Sequence, residues 1–200
     1  QIIPGGTFKG YPLLAYDGPD AGYREDILNK IKDRLEQSLR VTSQCLVVRL
    51  VIRLPTSVKG CENNNSFQYF IEEYRRALGN KLIHYVWVRE QNKSHNPHWH
   101  LMLFFNGNHI RYFKYPTQAE FYWSLAMQKF HSYYDSTQGL IQNCNGGYQG
   151  VQMNNGIMFQ RDNEILKYEI FRICSYLAKI ATKGGAPKNV REHGSSQLKR

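Results

Sequence analysis

The spacing of apolar side chains along the chain predicts a mixture of helices and strands. Apolar residues recur at every fourth position between about residues 23 and 39, which is the period of a helix with one buried face. Residues 44–54 instead alternate: the even positions from 46 to 52 are apolar, while Arg49 and Arg53 occupy odd positions. This alternation predicts a strand with one core face and one basic face.

The remaining pattern completes an α+β order of elements. Ser66 is a suitable N-cap for a second helix, and Pro116 precedes a third. The order helix, strand, helix, hairpin, helix, strands, helix predicts a mainly antiparallel sheet of about five strands with helices on one side. The further predicted elements are a helix to about residue 78, strands 82–90 and 98–105 around a polar loop, a helix at 117–133, two or three short strands within 140–159, and a last helix at 163–183.

Composition divides the chain into an arm, a domain and a tail. Residues 1–21 are rich in Gly and Pro and predict an N-terminal arm lying on the domain, which we place at 22–183. Residues 184–200 contain almost no apolar side chains and predict a basic, flexible tail. A chain of 200 residues can bury a core without disulfides, and its four cysteines lack metal-binding spacing, so we expect reduced thiols in a cytosolic protein.

Charge and motif content narrow the function. The net charge of +10 favours a polyanionic partner such as nucleic acid. The longest uncharged apolar run, Leu101 to Phe105, is far too short to span a membrane. No phosphate-binding loop of the G-x-x-x-x-G-K-[ST] type is present, so the sequence does not predict an NTPase.

The most informative motif is His98-Trp99-His100 at the start of a predicted strand. Alternation along a strand places both imidazoles on one face, about 6 to 7 Å apart, and Trp99 on the other. Two such imidazoles form half of a metal site, although a triplet of this kind also arises by chance. The alternative is a pair of half-buried sheet histidines. His95, in the preceding loop, is expected to contact DNA or solvent rather than an ion.

Glu90 is the candidate third ligand. It lies eight residues before His98, at the other end of the hairpin loop, so in-register pairing places it opposite His98 or His100. A slip of one residue would place it beside Trp99, and a solvated charge at a hairpin end is the alternative. Two imidazoles and one carboxylate leave coordination positions open for water or phosphate oxygens, as in catalytic sites.

The last predicted helix carries a candidate nucleophile. At 100° per residue, Arg172, Tyr176, Lys179 and Lys183 fall on one side, opposite the apolar stripe. Cations near a phenol favour its ionised form, so this pattern predicts that Tyr176 is activated for nucleophilic attack.

These motifs together resemble the HUH superfamily of single-strand DNA nickases. Within it, three stretches are similar to the YagK/YfjJ family of inovirus-type replication proteins and prophage relatives: residues 86–91, 97–106 and 175–183. The resemblance extends over residues 44 to 183. Histidines before the tyrosine are the order of replication initiators rather than relaxases. Residue 172, one turn before Tyr176, is Arg, so the two-tyrosine arrangement of some phage initiators is not expected.

The resemblance implies a metal-dependent nickase that initiates rolling-circle replication in the bacterial cytoplasm. It implies that His98, His100 and Glu90 bind Mg²⁺ or Mn²⁺, and that Tyr176 attacks single-stranded DNA at a replication origin. The products would be a 5′-phosphotyrosine and a free 3′-hydroxyl, with Lys179 stabilising the developing charge. The host helicase and polymerase would then be partners.

Further basic residues are candidate DNA contacts, and two other functions remain open. The predicted DNA-binding residues are Arg49, Arg53, Arg172 and Lys183, with Tyr112 to Tyr115 as a stacking platform and the tail cations Lys188, Arg191, Lys199 and Arg200 as phosphate contacts. A non-catalytic domain that binds single-stranded nucleic acid would also be basic and antiparallel. A zinc hydrolase could use the same two histidines but would leave Tyr176 and Lys179 without a role.

Overall fold

A computed structural model describes residues 1–15, 21–59, 61–91, 96–111, 117–144 and 156–198. The roles predicted for His95, the aromatic platform at 112–115 and the last two tail cations lie outside the described residues.

Four helices and ten strands make up the described chain. The helices are α1 (Glu25–Val41), α2 (Asn65–Leu78), α3 (Thr117–His131) and α4 (Glu164–Cys174). The first four strands are two-residue pieces in and after the arm: β1 (Ile2–Ile3), β2 (Thr7–Phe8), β3 (Tyr11–Pro12) and β4 (Tyr23–Arg24). The others are β5 (Gln44–Arg53), β6 (Leu82–Glu90), β7 (His98–Asn106), β8 (Ile141–Asn143), β9 (Ile157–Gln160) and β10 (His193–Ser195).

One antiparallel sheet organises the fold. Its order is β10-β6-β7-β5-β8, and β9 pairs with β5 on the same side as β8 but nearer the start of β5. The sheet therefore has six strands in five positions. The predicted α+β class with a mainly antiparallel sheet is confirmed.

Helices cover both faces of the sheet, so the prediction of helices on one side is wrong. Helices α1 and α4 pack against one face together with Cys45 and Val47, while α2 and α3 pack against the other with Leu46 and Val48. Strands buried on both faces are apolar at consecutive positions rather than at alternate ones. The run Leu101 to Phe105, fully buried throughout, is the sequence signal of this arrangement.

The last helix is shorter than predicted. It begins after Asn163, whose side chain accepts a hydrogen bond from the Leu166 amide at 3.0 Å, and it ends at Cys174. Short 3₁₀ turns follow at Ser175–Ala178 and Ile180–Thr182. Lys179 leaves the helical conformation, with φ −55° and ψ 131°, and its backbone pairs with Tyr23, so contact with the chain just after the arm replaces the helical hydrogen bonds here.

Both ends of the chain are packed onto this framework. In the arm, Phe8, Tyr11 and Leu13 are buried against α1 and α4, consistent with the predicted arm on the domain. The region expected to be a flexible tail instead supplies β10, whose three residues pair with Val86 to Val88. The pairing of β10 uses backbone groups, so the low apolar content of the tail carries no signal of it.

Trp99 of β7 packs on the side of the core that α2 and α3 form. It is fully buried, stacks on Phe67 at 5.2 Å between ring centroids, and donates a hydrogen bond from Nε1 to the Asn64 side chain at 3.0 Å.

We expect Trp99→Ala to lower the free energy of unfolding by about 3–5 kcal/mol, as for other buried aromatic truncations, measured by urea denaturation. Val41→Ala, at a residue 53% exposed, is the control. A loss below about 1 kcal/mol for Trp99→Ala would contradict this packing.

Candidate metal centre and tyrosine site

The hairpin register brings the three predicted metal ligands together. Glu90 pairs directly with His98, and Val88 pairs with His100. Residues paired across antiparallel strands point to the same face, so Glu90, His98 and His100 share the face covered by α1 and α4. Trp99 points to the opposite face, as alternation predicts.

The ligand atoms of these three residues form a compact group. One donor atom from each lies within 4.8 Å of the other two. Glu90 Oε2 lies 3.2 Å from His100 Nε2 and 3.5 Å from His98 Nε2. Two imidazoles and a carboxylate on one face form a donor set that suits a divalent ion with open positions. These residues therefore fit a divalent metal ion.

The three candidate ligands differ in their exposure to solvent. The side chains of Glu90 and His100 are 3% and 7% exposed, whereas that of His98 is 26% exposed. The open side of the centre is consequently at His98. A substrate or water molecule would reach the ligands from that side.

The protonation states suit metal binding. Burial alone would raise the pKa of the Glu90 carboxyl, but hydrogen bonds from His100 and His98 and the charge of Lys183 hold it well below its usual range. Burial lowers the pKa of His100 to about 4, against the opposing effect of Glu90. An ionised carboxylate and a neutral imidazole are the forms that bind a cation at neutral pH.

Tyr176 lies next to this centre. Its ring centroid is 5.7 Å from that of His100, with the two rings inclined at 67°. Two cations contact the same ring, since the Arg49 guanidinium carbon and the Lys179 Nζ each lie 4.1 Å from its centroid. Cation–π contacts of this kind stabilise both charges against the aromatic face. The structure thus brings the predicted nucleophile, the predicted metal ligands and Lys179 into one site.

The segment that carries Tyr176 is fastened by the N-terminal part of the chain. Ser175 is fully buried, and its hydroxyl accepts a hydrogen bond from the Leu14 amide at 3.0 Å and donates one to the Arg172 carbonyl at 2.6 Å. The Ile180 amide donates to the Gly22 carbonyl at 3.0 Å. Contacts before and after Tyr176 therefore position it against His100.

We expect Ser175→Ala to destabilise the protein and loosen this attachment. Alanine leaves the buried Leu14 amide without its acceptor, which costs about 1–3 kcal/mol. Hydrogen exchange should show reduced protection of the Leu14 amide, and denaturation should show the stability loss. Ser124→Ala is a matched control because the Ser124 hydroxyl also donates to a carbonyl three residues earlier, but on an exposed helix surface. Equal effects of the two substitutions would contradict the proposed attachment.

The four predicted DNA-contacting residues have different environments. Arg53 is exposed and donates to the Gln142 side chain. Arg172 forms a bidentate ion pair with Glu169, with a distance of 2.8 Å between Arg172 Nε and Glu169 Oε2. The other two predictions need correction. Arg49 is 3% exposed and lies against Tyr176 and His100, and the Lys183 side chain is also 3% exposed.

The two corrections have different physical reasons. A basic residue at an odd strand position is expected to face solvent, but α1 and α4 cover that face of β5 and bury Arg49. The prediction for Lys183 assumes that the last helix continues to residue 183, but α4 ends at Cys174. The Lys183 Nζ instead lies 2.5 Å from Glu90 Oε1. Ser175 is a further residue of the site that the sequence does not predict, because hydropathy carries no signal for a buried hydroxyl group.

Comparison with protein families decides the relationship. The model of the YagK/YfjJ C-terminal domain matches residues 6–196. The chain belongs to this family. The matched region of the YagK/YfjJ domain includes most of the arm, the hairpin with its three ligands, the Tyr176 segment and β10. No curated protein and no solved structure matches the chain.

Within the described ranges of the YagK/YfjJ domain, no helix combines the length and the apolar character that crossing a bilayer requires.

Proposed function

We propose that this YagK/YfjJ domain is an HUH-type nickase that cleaves and rejoins single-stranded DNA at a replication origin to initiate rolling-circle replication. One observation carries the proposal. The Tyr176 ring lies 5.7 Å from His100, beside a compact group of two imidazoles and one carboxylate. A candidate nucleophile and a candidate metal centre are therefore adjacent, although 76 residues separate Tyr176 from His100 in the sequence.

The donor set favours a catalytic ion such as Mg²⁺ or Mn²⁺. Glu90, His98 and His100 would hold it, and the partly exposed edge of His98 leaves access for a phosphodiester. When bound, the ion would supply Lewis-acid polarisation of the scissile phosphate.

The chain itself supplies the nucleophile. The Tyr176 oxygen forms a bond to phosphorus as the bond from phosphorus to the 3′ oxygen breaks. The phenol proton is lost, and the departing 3′ oxygen gains a proton to become a hydroxyl. A 5′-phosphotyrosine remains, and the reverse attack by the 3′-hydroxyl restores the strand without ATP, because one phosphodiester has been exchanged for another.

Lys179 and the overall charge support an anionic substrate. Lys179 contacts the Tyr176 ring, from where its charge would stabilise the negative charge that develops on the phosphoryl oxygens during transfer. The net charge of +10 attracts a polyanion. Single-stranded origin DNA is then the partner, and the host helicase and polymerase would act on the nicked product.

The geometry favours a nickase over a non-catalytic binding domain. A domain that binds single strands on its sheet needs exposed aromatic residues on that surface. On strands β6 and β7, Trp87, Trp99, Phe104 and Phe105 are instead buried, and Tyr85 is half-buried. A zinc hydrolase is also less well supported, because it would leave the adjacent Tyr176 without a role.

The direct test is nicking activity. The protein should be incubated with Mn²⁺ and end-labelled single-stranded oligonucleotides that tile its own replicon. We expect a covalent protein–DNA adduct on a denaturing gel from one sequence, with EDTA preventing its formation. Absence of an adduct across the whole replicon would contradict the proposal, and binding without cleavage would favour the non-catalytic alternative.

A further inference from the structure

Glu90 has two carboxylate oxygens, and the structure divides them between different partners. Oε2 faces His98 and His100, at 3.5 and 3.2 Å. Oε1 lies 2.5 Å from the Lys183 ammonium. The side chains of Glu90 and Lys183 are each 3% exposed, so this is a buried ion pair at the edge of the metal centre.

We propose that Lys183 is a positioning residue that holds Oε1 of Glu90, leaves Oε2 for the ion, and makes the ion bind more weakly than the same ligands would bind it alone. This inference rests on the metal centre of the proposed function. It assigns a role to a residue that belongs neither to the three ligands nor to the nucleophile.

The charge of Lys183 affects the candidate metal centre. A buried carboxylate needs a nearby counter-charge, and Lys183 provides one in the absence of an ion. An ion bound about 2.0–2.6 Å from Oε2 would share the same carboxylate with the ammonium. Two cations so close repel each other strongly where water is excluded. The ammonium therefore opposes binding of the ion.

Lys183 also contributes to the orientation of the Glu90 side chain. Removing Lys183 also removes a contact that holds the Glu90 side chain. However, the register of β6 and β7 and the contacts with His98 and His100 hold the same side chain from the other side. The loss of repulsion should therefore exceed the loss of orientation, and the net effect should be tighter ion binding.

The position of Lys183 is itself well defined. Its amide donates to the Ile180 carbonyl at 2.7 Å, closing the last 3₁₀ turn. The following Gly184 has a φ of +88°, which favours glycine, and its amide donates to Glu192 Oε1 at 2.6 Å. Because Lys183 follows Tyr176 by seven residues, one segment supplies both the nucleophile and the cation on Glu90.

The test is Mn²⁺ titration of the full chain by isothermal calorimetry. We expect Lys183→Met to bind Mn²⁺ at least about tenfold more tightly than the wild type, because the methionine fills the space without the charge. Lys183→Gln, which keeps a hydrogen-bond donor without charge, should also tighten binding and covers the case in which the methionine variant does not fold. Lys183→Arg should stay close to the wild type.

Lys167→Met is the matched control. Lys167 pairs with Glu164 at 2.6 Å on α4, away from the metal centre, so its loss changes the net charge equally but should leave Mn²⁺ affinity unchanged. If the wild type binds Mn²⁺ and the uncharged Lys183 variants bind it equally or more weakly, this inference alone is overturned. No Mn²⁺ binding by any variant would overturn both this inference and the metal dependence of the proposed nickase.

Discussion

Tyr176→Phe should abolish formation of the covalent DNA adduct and reduce strand cleavage by at least about 10³-fold, since it removes the hydroxyl oxygen that the proposed mechanism requires as the nucleophile. The substitution keeps the aromatic ring. The contacts of that ring with His100, Arg49 and Lys179 should therefore persist, and the fold should be unchanged. Cleavage assayed on labelled single-stranded oligonucleotides gives the measurement.

Tyr168→Phe is the control for this prediction. Tyr168 lies on α4, is 40% exposed, and contacts Tyr11 rather than the metal centre. It should retain full cleavage. An adduct that persists in Tyr176→Phe would mean that another group attacks the DNA, and loss of DNA binding together with cleavage would indicate a role in binding.

The second large effect is expected from His98→Ala. Removing one of three ligands should weaken Mn²⁺ binding by at least about a hundredfold. In other metal sites, substituting a residue that only hydrogen-bonds to a ligand already lowers metal affinity by about 10–100-fold. Cleavage should disappear. Affinity for single-stranded DNA should be largely kept, since it depends on contacts between cations and phosphates. Calorimetry with Mn²⁺ and fluorescence anisotropy with a labelled oligonucleotide separate the two.

His109→Ala provides the comparison. His109 is exposed and lies beyond the far end of β7, so its loss should affect neither metal binding nor cleavage. Equal loss of DNA binding and cleavage in His98→Ala would contradict a catalytic ion and indicate that the ion maintains the structure instead.

The metal centre could be predicted from sequence because its geometry is local. Alternation places His98 and His100 on one face, and a hairpin of known loop length places Glu90 opposite His98. The bounds of β6 agree with the prediction for the same reason, and β7 extends one residue further. Local periodicity and pairing determine these features, so no distant contact was needed to find them.

The surroundings of Tyr176 could not be predicted in the same way. Periodicity continued the last helix to Lys183, whereas contacts with Leu14, Gly22 and Tyr23 end it at Cys174. Those partners are about 160 residues away in sequence, and their contacts involve backbone groups that leave no hydrophobic pattern. The burial of Arg49 likewise depends on which helices cover β5, which the strand sequence alone does not specify.

The residue that becomes covalently attached to DNA shows most directly whether Tyr176 is the nucleophile. After reaction with single-stranded origin DNA and Mn²⁺, the protein should be digested with nuclease and trypsin and analysed by mass spectrometry. We expect a nucleotide attached through a 5′ phosphate to Tyr176, in the tryptic peptide of residues 173–179. Attachment to a different residue, or an unmodified peptide in protein that has cleaved DNA, would contradict it.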